Sequence, residues 1–377
     1  ILCCRGGVSG LTTSLVLAQK GGFDITLIAQ HLPGDTAPEY TSPWAGANFL
    51  PSKRVRVSAQ GSKESEYDML TFPYLWELAQ TAPEAGVQVT PVMLWNRKKD
   101  VDSHRHWATE LHSDRPWFKD MLPEFRDLRR DELTDEYDSG VTFKSVGIDV
   151  DVYLLYLLRK LKESGVVVKR ATIGHILDAA TMHESQRPAE ALINCTGLLA
   201  SKLGGVQDTS VYPVRGQLIV ARGSVWGLIT TSGTDDGPTD TMYVMPRGKG
   251  DLVDEIVIGG SYQKHDANGE IDSALSERMM KRAIALGPDL LSGKDGGELE
   301  VLRHTAGLRP VRDAGIRLEK ESVSGVTVVH NYGHGGYGYQ SSYGCALAVH
   351  KLLADPENGR SWWSWLNPLN YLLAKRA

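Results

Sequence analysis

The chain has 377 residues, 41% hydrophobic and 23% charged, the composition of a soluble globular protein with room for one large or two ordinary domains. Its 41 basic and 46 acidic side chains leave a net charge of −5 without a Lys/Arg stripe, which argues against nucleic acid or an anionic membrane as partner. No run approaches the roughly 18 apolar residues of a membrane span, and four cysteines are too few for a disulfide framework.

The chain opens on Ile1, without a methionine or a signal-peptide pattern, inside the apolar run Ile1-Leu2-Cys3-Cys4. A glycine-rich turn follows, Arg5-Gly6-Gly7-Val8-Ser9-Gly10. Leu11 to Lys20 carries Leu11, Leu15 and Ala18 at helical spacing, Gly21-Gly22 ends that helix, and Asp24 to Ala29 reads as a buried strand. The three form a βαβ unit of about 30 residues, the size of a dinucleotide-binding segment. A loop with Pro33, Gly34, Pro38, Pro43 and Gly46 comes next, then a helix over residues 62–82. Residues 87–144 mix short apolar segments with charged stretches such as Arg126–Asp138, read as solvated surface.

Asp151–Ser164 predicts an amphipathic helix stopped by Gly165, followed by the strand Val166-Val167-Val168. Ala191 to Cys195 is a further buried strand ending at Thr196-Gly197. From 211 to 262 the pattern is β; Ser273–Ala285 is helical; residues 316–331 suggest two strands around Ser324-Gly325, and a helix runs from about Ser342 to Leu353. The parallel-type strands lie at the beginning, middle and end of the chain, with antiparallel-looking material between them. Two interleaved domains are therefore expected.

The first turn is where a dinucleotide would bind, because a helix N-terminus offers free N–H groups to a pyrophosphate and glycines let the backbone approach it. Against G-x-G-x-x-G, Gly7 and Gly10 occupy the second and third glycine positions and Arg5 the first. The acidic residue expected about 20 positions on is absent; Gln30 and His31 stand in that region, and both can hydrogen-bond a ribose. Taken alone, these glycines fit a helix-packing role equally well.

Seven further segments, in order along nearly the whole chain, are more specific: Thr41-Ser42-Pro43-Trp44-Ala45-Gly46-Ala47-Asn48, Asn194-Cys195-Thr196-Gly197, Tyr212-Pro213-Val214-Arg215-Gly216-Gln217, Tyr243-Val244-Met245-Pro246-Arg247, Gly259-Gly260-Ser261-Tyr262, Gly307-Leu308-Arg309-Pro310 and His334-Gly335-Gly336-Tyr337-Gly338. The series resembles the D-amino acid oxidase family, its fungal members above all. The resemblance implies an α/β fold in which an FAD-binding Rossmann-like domain (1–50, 145–205, 300–360) is interleaved with an α+β substrate domain on a mainly antiparallel sheet (51–144, 206–299), with a tail at 361–377. It implies non-covalent FAD held by Gly6, Gly7, Val8, Ser9, Gly10, Gln30, His31, Thr41, Ser42, Ala45, Gly46, Asn48, Ile173, Thr196, Gly197, Gly307, Arg309, Gly335, Gly336, Gly338, Tyr339 and Gln340. Arg309 would clamp a substrate carboxylate with two parallel hydrogen bonds, Tyr243 would add a hydroxyl, Tyr262 would close over the site, and Gly336 would offer a backbone carbonyl. The expected partners are a D-amino acid and O2, oxidised and reduced by hydride transfer from the substrate Cα to flavin N5 without a side-chain base. Arg5→Gly is expected to tighten FAD binding.

The sister activity is D-aspartate oxidase, which needs a second cation for the side-chain carboxylate; Tyr262 argues for neutral substrates, while Arg54, Arg105 and Arg247 leave that alternative open. A flavin-binding protein without turnover is the second alternative, motivated by Arg5, and nothing resembles a nicotinamide site. The family resemblance suggests a peroxisomal or cytosolic enzyme, although Lys375-Arg376-Ala377 does not match a Ser-Lys-Leu terminus. A homodimer stays open, the Arg317–Thr327 hairpin being short for one fungal dimer mode.

Simpler readings stand beside these. His104 with His106 lacks a third ligand nearby, and His330 with His334 is spaced for a helix that the surrounding glycines oppose, so no metal is assigned. The sequon Asn194-Cys195-Thr196 ends a buried strand and reads as structural, and Cys3, Cys4, Cys195 and Cys345 read as packing residues. Tyr243 and Tyr262 are also ordinary strand aromatics, Arg309 a candidate surface ion pair beside Arg312 and Asp313, and Trp362, Trp363 and Trp365 an aromatic cluster of unassigned role.

Overall fold

The computed structural model describes residues 1–51, 63–101, 116–248, 255–293 and 296–354. His104, His106, Arg54, Arg105 and the tail with its three tryptophans lie outside them.

The opening βαβ unit consists of β1 (Leu2–Cys4), α1 (Val8–Lys20) and β2 (Thr26–Ala29). Every residue of both strands is buried, as their uninterrupted apolar runs predict for a sheet covered on both faces. Helix α1 starts three residues before the apolar spacing signals it. Its cap, Gly7, offers no side chain to the first turn, and the Val8 N–H is met by Ser42 Oγ at 3.0 Å. Gly10 is needed for close approach: a Cβ there would sit 1.9 Å from the Arg5 carbonyl oxygen.

Next come α2 (Lys63–Thr81), β3 (Val87–Asn96), β4 (Ser139–Ile148) and α3 (Val150–Glu163). Asp149 caps α3 by accepting from the Asp151 and Val152 N–H groups, and Gly165 leaves it at φ 80°. Strands β5 (Val167–Arg170) and β6 (Ala191–Asn194) follow, then β7 (Val211–Arg222), β8 (Leu228–Thr231), β9 (Asp240–Arg247) and β10 (Glu255–Ser261). The chain continues through α4 (Ser273–Ile284), β11 (Glu300–Arg312), β12 (Arg317–Val323), β13 (Val326–Tyr332) and α5 (Ser342–Ala354). Helices α2 and α5 meet through a stack of Tyr74 on Tyr343, ring centroids 4.1 Å apart. Among the described residues no helix is long and apolar enough to cross a membrane.

A six-stranded sheet has the order β12-β13-β6-β1-β2-β5, parallel except for the β12–β13 hairpin. Its middle is fixed by Leu2, which faces Thr26 on one side and Leu192 on the other. A nine-stranded sheet contains β7, β10, β9, β8, β3 and β4 side by side, with β11 along the other edge of β7; only the β3–β8 pairing is parallel. The α/β class with a Rossmann-like parallel sheet and a mainly antiparallel second sheet is thus the observed architecture. The strands of the two sheets alternate along the chain.

Two segments differ from the sequence reading. Residues 87–144 hold no mere short apolar pieces: β3 and β4 pair over ten residues each, from Val87–Ile148 to Asn96–Ser139. The sequence around 300–312, read only as a motif, is a thirteen-residue strand paired with β7 from Glu300 to Arg312. Arg126–Asp138 is surface, as expected, carrying exposed pairs such as Arg126–Glu132 at 2.7 Å and Arg129–Asp131 at 3.0 Å.

Candidate active site

Two cavities open at the carboxyl ends of the parallel strands, the place where open α/β sheets bind ligands. The larger, about 270 Å³, lies between the two sheets. It is walled by the α1 N-terminus (Gly7, Val8, Ser9), the segment from Tyr40 to Asn48, Gly197, Gly307, Arg309 and the loop from His334 to Gln340. The smaller, about 230 Å³, gathers Gln30, His31, Ile173, Gly174 and Thr196. Arg5 lines both.

These contacts bring together Gly7, Val8, Ser9, Thr41, Ser42, Ala45, Gly46, Asn48, Gly197, Gly307, Gly335, Gly336, Gly338, Tyr339 and Gln340 with Tyr243 and Arg309. Gly6 and Gly10 lie behind the lining: the Gly6 carbonyl accepts from Tyr40 OH at 2.6 Å, and Gly10 packs on Arg5. Tyr262 is also outside it, its ring centroid 5.7 Å from the Arg309 guanidinium carbon. Leu50, Leu218, Leu228 and Thr230 line the large cavity without having been singled out. Their signal is only strand periodicity, which does not tell a cavity wall from a core.

Cross-strand register builds the strand wall of this cavity. Thr230 faces Tyr243, Tyr243 faces Gly259, and Gly259 faces Leu218 on successive strands β8, β9, β10 and β7. A Cβ on Gly259 would lie 2.1 Å from Tyr243 Cζ, so the phenol lies flat only because that position is bare. Arg309 pairs with Val214 on β7, and its guanidinium lies over Gly216, where a Cβ would meet Nη1 at 2.1 Å. Arg309 Nη1 donates to the Ser261 carbonyl at 3.0 Å, and no carboxylate among the described residues pairs with this guanidinium. The surface-pair alternative therefore falls to its neighbour Arg312, which binds Asp208 at 2.8 Å. Burial raises the Tyr243 and Tyr262 phenols above their ordinary range, while the Arg309 charge opposes the shift at both.

The other polar groups are tied down. Thr41 Oγ1 donates to the Leu308 carbonyl at 2.7 Å, and Tyr339 OH to the Ser42 carbonyl at 2.9 Å. Gln340 Nε2 donates to Asp68 at 2.9 Å. His334 Nε2 lies 3.1 Å from Asn331 Oδ1, and burial pushes its pKa down to about 4, leaving a neutral ring. His330 is buried between Asn194 and Glu321. Asn194 itself is buried, its Oδ1 accepting from the Thr196 N–H and hydroxyl, which is the structural role read from the sequence. All four cysteines are buried free thiols, and burial raises each pKa, Cys3 to about 11.

The residues fit FAD over most of its length. The first turn of α1 has no acidic residue, and apart from the Val8 N–H taken by Ser42 its dipole is open to an anion. Asn48 Nδ2 is buried on the large cavity with no hydrogen-bond partner among the described residues, a donor that a polar ring edge would satisfy. The poor fit is Arg5, held at φ 114°, where a side chain is strained. Its guanidinium donates to the Thr196 and Glu39 carbonyls.

The FAD dependent oxidoreductase family profile matches residues 6–352. The chain belongs to this family. It is 37% identical over 356 residues to a D-amino-acid oxidase of Fusarium vanettenii, covering 94% of this chain and 96% of that protein. It is 34% identical to a D-amino-acid oxidase of Schizosaccharomyces pombe over 92% of this chain and 94% of that one. A glycine oxidase structure from Bacillus cereus shares the fold, with a TM-score of 0.69 at 15% identity over 95% of each chain. As a member of the FAD dependent oxidoreductases, the protein is a flavin enzyme.

Proposed function

We propose that the protein oxidises neutral D-amino acids to imino acids, which hydrolyse to 2-oxo acids and ammonia, with O2 reduced to hydrogen peroxide. The observation that carries this reading is Arg309, a guanidinium bonded to the Ser261 carbonyl and the Tyr243 phenol but to no carboxylate among the described residues, beside Tyr262 at a cavity whose strand wall is Leu218, Leu228 and Thr230. That wall presents no fixed charge to a substrate side chain.

In this reading the α1 N-terminus with Gly7, Val8 and Ser9 receives the pyrophosphate. Gln30, His31, Ile173 and Thr196 hold the adenosine end, and Thr41 to Asn48 with Gly335 to Gln340 flank the flavin. When bound, FAD supplies the hydride acceptor and the route for two electrons to oxygen. Arg309 and the Tyr243 hydroxyl fix the α-carboxylate, Tyr262 covers it, and the Gly336 carbonyl accepts from the amine. The described lining contains no Asp, Glu or Lys, and His334 is neutral and bonded, so no side chain is placed as a base. The substrate reacts as the free amine: both electrons of the Cα–H bond leave with the hydrogen, and the nitrogen lone pair forms C=N. Orientation is what the protein contributes, and three fixed substituents leave one enantiomer with its hydrogen toward the ring.

Peroxide release from D-alanine, D-methionine, D-aspartate and L-alanine tests this. The neutral D-amino acids are turned over, L-alanine is not, and a preference for D-aspartate refutes the neutral-substrate reading. Tyr243→Phe removes one hydroxyl bond to a charged group, about 1.5–3 kcal/mol. Steady-state kinetics on D-alanine should show a loss of roughly 10- to 150-fold in kcat/KM; an unchanged value would remove Tyr243 from the carboxylate site.

A further inference from the structure

The two cavities meet at one residue. Arg5 belongs to the wall of each, and its guanidinium is hydrogen-bonded on one side to the Thr196 carbonyl, at the end of β6, and on the other to the Glu39 carbonyl, in the loop after β2. Bonded to both segments, the guanidinium spans the space between the end of β6 and the loop after β2. The side chain is only 9% exposed, yet both partners are neutral backbone groups. The nearby Glu39 carboxylate turns to His31 Nε2, 3.3 Å away. Burial lowers the Arg5 pKa to about 10, so the cation stays charged while lacking an ion-pair partner among the described residues.

The flavin end of FAD belongs in one cavity and the adenosine end in the other, so the cofactor must cross this point. We propose that Arg5 is a bolt across the dinucleotide groove: FAD enters only after the guanidinium leaves the Thr196 and Glu39 carbonyls, and the residue sets how fast and how tightly the protein loads its cofactor. This rests on the FAD reading. No salt bridge among the described residues is broken when the side chain swings out to water, only a longer-range attraction to Glu39, so the bolt can be drawn. A guanidinium lying between the same carbonyls with FAD in place would overlap the cofactor's path.

The test is flavin fluorescence quenching on mixing FAD with flavin-depleted protein, giving association rate and Kd for the wild type, Arg5→Gly and Arg5→Ala. Circular dichroism verifies that each variant is folded. Alanine keeps a Cβ at the strained φ and removes the guanidinium, so it separates obstruction from strain. Both variants are expected to associate with FAD at least tenfold faster and to bind it at least tenfold tighter. Tightening in Arg5→Gly alone assigns the effect to backbone strain and overturns the bolt. Equal or weaker binding in both, with all three proteins still taking up FAD, makes Arg5 a cofactor ligand and overturns it too, leaving the FAD reading intact. Flavin uptake by none of the three overturns that reading and the bolt with it.

Discussion

Arg309→Ala is expected to lower kcat/KM for D-alanine by about 30- to 4,000-fold. That range follows from leaving a desolvated carboxylate without its cation, roughly 2–5 kcal/mol, at about 1.4 kcal/mol per factor of ten. The guanidinium is already oriented to receive a carboxylate. Its Nη1 bond to the Ser261 carbonyl fixes one edge, and the ring of Tyr262 lies 5.7 Å from its carbon. The bare Gly216 beneath it gives the guanidinium room to lie against β7. Arg309→Lys should recover little, because an ammonium cannot reproduce two parallel bonds. Steady-state peroxide assays at matched flavin content are the measurement, and unchanged efficiency in the alanine variant would sink the clamp.

Arg97→Ala is expected to cost about 3–5 kcal/mol of stability, the typical penalty for removing one partner of a buried ion pair. Arg97 is 2% exposed and holds Asp100 through two bonds, Nε to Oδ2 at 2.7 Å and Nη2 to Oδ1 at 3.0 Å. Its Nη1 reaches Glu136 and Asp235, each at 3.1 Å. The Asp100 side chain is only 7% exposed, and it would lose both of its bonds to the guanidinium. Urea unfolding followed by tryptophan fluorescence should show the midpoint falling, and the double variant Arg97→Met/Asp100→Leu should regain much of the loss. A single variant that unfolds at the wild-type midpoint would show that the cluster is not structural.

Both effects concern side chains whose importance was unequally visible in the sequence. Arg309 stands in a segment, Gly307-Leu308-Arg309-Pro310, whose neighbours in the ordered series suggested its role. Arg97 sits in an unremarkable charged stretch and becomes a buried cation only when Glu136 and Asp235 arrive from distant parts of the chain. The same distinction runs through the fold. The βαβ opening, the capped helix after Asp149 and the hairpin at Ser324-Gly325 are local patterns of burial, capping and turn chemistry, and they were legible. Strands β3 and β4 were not, because Pro91 and polar residues interrupt the apolar pattern, and their identity as strands comes from pairing with each other across more than forty residues. For the site, the glycine loops and aromatic motifs could be read. The cavity walls of Leu50, Leu218 and Leu228 could not, since apolar strand residues look alike whether they face a core or a ligand. Arg5 was visible as a departure from a pattern, but its placement between two carbonyls depends on Thr196 and Glu39, which only the folded chain brings to it.

The alternation of the two sheets along the chain has a consequence for synthesis on the ribosome. Strand β6 lies between β1 and β13, so the parallel sheet stays open on that edge until residues 326–332 have been made. Between the emergence of β6 and that of β13 lie several seconds to tens of seconds at roughly 5–20 residues per second. During that interval the nascent chain presents an apolar strand edge and an unfinished cavity, for Asn331 and the loop from His334 to Gln340 are part of its lining. The flavin therefore has no complete site to enter until the loop from His334 to Gln340 has been made and has closed against the first turn of α1.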